Sequence, residues 1–193
     1  MIAVADPGPQ RDRNPSVIVD KPTPPHPCVT WAHPVAFRSL PGWHTGGGVT
    51  FDSIVSRGRR YRLATPVTSA WIATDDVRYL DPPSEDPPNR TLEHLGRTGT
   101  IVYAVAWPTT ARREGASPTR LLFARAKYHA CCEAVLLPGG EWELSGFGPD
   151  HAYEIVIRVY FGRSVFPRGP PAAQRRAVQR AIDALRLPRS RRC

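Results

Sequence analysis

The chain has 193 residues, 41% of them hydrophobic, with 22 prolines, four cysteines and a net charge of +9. That length and apolar content predict one domain with a real core, which excludes a wholly disordered chain. The four cysteines favour buried free thiols, with a bridge from Cys28 to Cys131 or Cys132 open in an oxidising compartment, and no apolar run has the length of a membrane-spanning helix.

Residues 1–27 are rich in Pro, Asp and Arg, with Pro22, Pro24, Pro25 and Pro27 favouring extended backbone, and predict a disordered arm. The main domain is expected over 28–188. In 28–40, Val29, Trp31, Val35 and Phe37 fit one strand face, with Pro34 marking an edge or bulge. Pro41-Gly42 signals a turn, after which Trp43 folds back on the core. Gly46-Gly47-Gly48 lacks the Lys-Ser/Thr sequel of a phosphate loop, so a hairpin connection is expected.

A hairpin follows over 49–56 and 60–63, then a short strand over 69–74. The acidic, proline-dense stretch 75–89 predicts a solvated loop. Its carboxylates do not follow EF-hand spacing. Residues 91–97 suggest a helical turn. In 99–107, Ile101, Tyr103, Val105 and Trp107 share one strand face and small residues the other. The span 121–137 has apolar residues at both helix and strand spacing, with extended structure favoured over 130–137.

A strand over 142–147 leads through Gly148-Pro149-Asp150 to the strongest strand pattern in the chain. Tyr153, Ile155, Ile157, Val159 and Phe161 alternate with Glu154, Val156, Arg158 and Tyr160, which predicts one buried face. Pro170 and Pro171 then suit the first turn of an amphipathic helix running to Pro188. Ala177, Val178, Ala181, Ile182 and Leu185 fall in one arc, and Arg175, Arg176, Gln179, Arg180, Asp183 and Arg186 in the other. A helix this short needs a surface to dock on. Strands in antiparallel succession with one terminal helix give an α+β fold: a mainly antiparallel β-sheet with a C-terminal amphipathic helix packed on it.

Charge is concentrated at the C-terminus. Nine arginines and one acid lie in 163–193, leaving 17 basic and 16 acidic residues upstream. The expected anion- or partner-binding residues are Arg175, Arg176, Arg180 and Arg186, with Arg189, Arg191 and Arg192 in a basic tail over 189–193. The plain alternative is a solvated helix face and a solubilising tail. Lys21 and Lys127 are the only lysines, a bias that suits a GC-rich actinobacterial genome.

No motif fixes a reaction. His129, Cys131 and Cys132 are the nearest approach to a soft-metal cluster, but match no specific zinc spacing, and Cys28 or His151 would be needed as further ligands. No metal and no cofactor is therefore expected. A Cys/His pair drawn from Cys131 or Cys132 with His44 or His151 lacks a protease signature. Leu144-Ser145-Gly146-Phe147-Gly148 is not a nucleophile elbow. Glu141 and Glu143, two apart on a strand, read as a solvent edge rather than a glycosidase pair. Nucleic-acid binding has weak support from Phe161 and Phe166 beside Arg163 and Arg168, with no recognised module.

Leu40-Pro41-Gly42-Trp43-His44 resembles the opening motif of small uncharacterised actinobacterial proteins. The strand, Tyr160-Phe161-Gly162-Arg163-Ser164 and the Ala-Ile-Asp-Ala-Leu-Arg-Leu helix end over 153–187 resemble their closing elements. The resemblance spans 30–187. It implies a sheet-and-helix sandwich of the Mog1/PsbP type, often an exported or tethered accessory domain, and carries over no catalytic residue. The N-terminus shows no signal peptide, so the chain as written is expected in the cytoplasm, or exported if its start lies upstream.

The expectation is thus a non-enzymatic binding or accessory protein. It acts on another protein or an acidic surface through a sheet face or the basic helix. A small hydrolase-like enzyme with a Cys/His or carboxylate site, and a nucleic-acid or other anion binder, are the alternatives.

Overall fold

The computed structural model describes residues 29–56, 59–74, 92, 95–108, 120–129, 141–148, 153–162 and 169–192. The expected 1–27 arm, Cys28, the acidic loop 75–89, Cys131, Cys132, the 130–137 extended stretch and His151 lie outside these residues.

A six-stranded antiparallel sheet forms the body of the fold. Its strands are β3 (His44–Ser56), β4 (Arg59–Ala73), β5 (Thr100–Pro108), β6 (Lys127–His129), β7 (Glu141–Phe147) and β8 (Tyr153–Phe161), in the spatial order β3-β4-β5-β8-β7-β6. The two most regular strand patterns sit side by side at its centre, with Val102 opposite Val159, Tyr103 opposite Arg158 and Ala104 opposite Ile157. Helix α1 (Ala172–Asp183) packs on this sheet, so the fold is α+β and sheet-dominated.

The first and last segments of the described residues lie together. β1 (Val29–His33) pairs with β10 (Arg189–Arg192), and β2 (Ala36–Phe37) with β9 (Leu185–Arg186). Pro34 breaks the first segment, as its missing N–H requires. This broken ribbon lies over β4. The Trp31 indole donates to the Pro66 carbonyl at 3.0 Å, and the Val35 amide donates to the Thr68 hydroxyl at 3.0 Å.

Ribbon and helix cover one face of the sheet. Val178, Ala181 and Ile182 are 0–4% exposed and meet Val102, Ala104, Ile157, Val159 and Phe161. The small side chains of β5 on this face let the helix approach closely. Burying Val178 and Ile182 contributes roughly 1.5–3 kcal/mol each, which offsets the cost of ordering a short helix.

The opposite face is also buried at its centre. Val156 and Tyr160 pack with Trp71, Tyr103, Val105 and Leu92, so the expectation of a single buried face for β8 is corrected. Alternation identified the two faces of the strand correctly but not the second cover, because Arg158 and Glu154 dilute the apolar signal on that side.

Four further expectations are corrected. The glycine run is not a connection but part of β3. Gly47 has φ +83°, and a side chain there would stand 2.6 Å from the Ala70 Cα, so glycine alone makes this bulge. The stretches 60–63 and 69–73 belong to one strand, β4, whose register against β3 slips between Phe51 and Ser53.

The helix stops at Asp183, short of Pro188, because Leu185 and Arg186 are drawn into pairing with Phe37 and Ala36. Arg38 completes that end: its amide donates to Ala184 O and its guanidinium to Asp183 O, both at 2.9 Å. A cation on the terminal carbonyls is well placed against the helix dipole. Finally, 189–192 is no loose tail but β10, its backbone in register with β1.

Candidate anion-binding surface

Helix α1 presents its polar arc outward for about 18 Å. Arg175, Arg176 and Arg180 on the helix are exposed, as are Arg186 on β9 and Arg189 on β10. Arg191 and Arg192 are placed by backbone register opposite Thr30 and Val29. The five exposed arginines thus stand on one continuous stretch of chain, the helix and the two strands that follow it.

Two elements fix this stretch. Near its N-terminal end, Gln174 Nε2 donates to the Thr100 hydroxyl at 2.8 Å, and Thr100 N donates to the Thr74 hydroxyl at 2.8 Å. In its middle, Gln179 accepts from Phe123 N at 2.9 Å and donates to Asp183 Oδ1 at 2.9 Å. Asp183, the acid of the arc, is therefore engaged within the helix itself.

None of the five arginines is ion-paired among the described residues. The ion pairs there centre on Arg158, which reaches Glu143 at 3.3 Å and Glu141 at 3.6 Å. Both carboxylates lie on β7, beside β8, with Glu143 directly opposite Arg158 in register. The Glu141 side chain is only 8% exposed, so the expected solvent edge is corrected to a largely buried ion-pair network. A carboxylate brought this far from water needs its cation. The pair is committed to Arg158 on the inner part of the sheet.

His129 lies on β6 opposite Glu141 and is partly buried. Among the described residues no three His, Cys, Asp or Glu side chains are grouped to hold a metal. His44 is exposed at the start of β3, and Ser145 is exposed on β7. No helix among the described residues is long and apolar enough to cross a membrane.

One contributor escaped the sequence. Arg38, far upstream, reaches the C-terminal end of α1 and lines a cleft of about 380 Å³ there with Leu40, Arg180 and Asp183. Nothing in the residues around Arg38 signals a helix cap 145 positions away.

No known family model, no curated protein and no solved structure matches the chain.

Proposed function

We propose that the protein is a non-enzymatic binding or accessory domain that engages an acidic partner protein through the arginine face of α1 and β9–β10. The observation that carries this reading is the contrast in how cations are used. Arg158 is tied to two carboxylates, whereas Arg175, Arg176, Arg180, Arg186 and Arg189 are exposed and have no ionic partner among the described residues. Guanidinium forks on a rigid helix suit carboxylate recognition. The polar arc carries no aromatic side chain, so it lacks the stacking platform that single-stranded nucleic acid favours.

The resemblance to actinobacterial accessory domains is consistent with such a role and belongs to the same proposal. It is tested by affinity capture from a host extract, with and without nuclease, using the wild type and R175E/R176E/R180E. The expected result is a protein captured by the wild type, lost by the triple variant and indifferent to nuclease. Capture that survives charge reversal, or that nuclease abolishes, contradicts the proposal.

A further inference from the structure

At the outer edge of the sheet, β6 covers only Glu141–Glu143 of β7, and no described strand continues along 144–147. The segment 120–125 runs past this gap, pinned to α1 by Gln179. A cleft of about 280 Å³ opens between them.

Its lining is chemically lopsided. Arg120, Arg125 and Lys127 supply three exposed cations, with His129 beside them. The lone carboxylate of the lining, Glu143, accepts a hydrogen bond from Arg158 at 3.3 Å. Leu121, Leu122 and Leu144 form an apolar wall, and Ser145 adds a hydroxyl. Arg120, Arg125 and Lys127 make no ion pair among the described residues.

We infer that this cleft is a binding site for a small phosphate monoester with a compact apolar body, separate from the arginine face of α1. Three cations with one already-engaged carboxylate favour a ligand group of nearly two negative charges over a single one, and a phosphate monoester carries that charge at neutral pH. Guanidinium forks match its oxygens in pairs, and Lys127 adds a point charge. The leucine wall takes the rest of the molecule. The volume limits that remainder to about the size of one small ring, since drug-sized sites begin near 300 Å³.

The test is calorimetric titration with phenyl phosphate, with benzoate as the singly charged comparison. Phenyl phosphate is expected to bind with a Kd on the order of 1 mM or tighter, and benzoate more weakly. R120A and R125A, both at exposed positions, are each expected to weaken phenyl phosphate at least about tenfold. R175E/R176E/R180E is expected to leave this affinity unchanged, which separates the site from the partner-binding face. Absence of phenyl phosphate binding, equal affinity for benzoate, or unaltered affinity in both alanine variants overturns the assignment.

Discussion

Gln179 holds the backbone of Phe123. Its carboxamide oxygen accepts from Phe123 N at 2.9 Å while its nitrogen donates to Leu121 O at 3.3 Å, so a helix side chain substitutes for a strand partner along 121–123. Phe123 in turn meets Trp142 and Phe161, with ring centroids 5.9 and 6.0 Å away. The contact ties the basic segment of the β7 edge to the helix that carries the arginine face.

Replacing Gln179 with Ala is expected to cost about 1–2 kcal/mol, because it leaves a partly buried amide without its acceptor. Hydrogen exchange at the Phe123 amide should quicken more than exchange at the centre of β8. Equal acceleration at both positions would show that the clamp acts only through global stability.

Arg158 and the two glutamates behave as a unit. Arg158→Met removes the cation 3.6 Å from Glu141, whose side chain is 8% exposed. The expected loss is about 2–3 kcal/mol, below the range for a fully buried pair, because Arg158 and Glu143 are 22% and 30% exposed. Adding Glu141→Gln to that variant should restore part of the stability, since a buried charge that has lost one cation is gone. Urea denaturation of the two variants checks this; a double variant less stable than Arg158→Met alone contradicts it.

Tyr153 is 2% exposed, and its hydroxyl is buried with no hydrogen-bond partner among the described residues. Its ring stands edge-on to Trp31 at 5.6 Å and fills the space where a Gly148 side chain would lie. Burial pushes the phenol from 10.0 up to about 12. Above pH 10 the unfolded chain gives up this proton before the folded one does, so stability falls as pH rises through that window. The slope is about 1.4 kcal/mol per pH unit, and the loss by about pH 12 is roughly 2–3 kcal/mol. Y153F removes the titrating group without removing a hydrogen bond to any described residue. It should match or exceed the wild type at neutral pH and lose less stability between about pH 10 and pH 12. Parallel alkaline profiles for the two proteins contradict the burial argument.

The elements whose pattern is local were legible in the sequence. β8 and β5 follow side-chain alternation, and the arcs of α1 follow a helical wheel, because burial on one side is written into every second or every third to fourth residue. Three features depend on distant partners and were not legible. Ala184, Leu185 and Arg186 continue the helical pattern, yet Ala36, Phe37 and Arg38 end the helix and draw the chain into β9. The glycine run reads as a connection until Ala70 is placed against it. Glu141 reads as solvent-facing until Arg158 is set beside it. In the candidate surface, the arginines were legible from composition alone. Gln179 and Arg38, which position that surface, look like ordinary polar surface residues.

The central claim is that the exposed arginines of α1 form an acidic-partner surface. Its most direct measurement is the affinity of the full chain for a labelled polyglutamate peptide, titrated at ionic strengths from about 0.01 to about 0.15 M. The account predicts saturable binding that weakens steadily with salt and is lost in R175E/R176E/R180E, while a triple variant of the same sites to lysine keeps most of it. Binding that ignores salt, or that persists after the three charges are reversed, contradicts it.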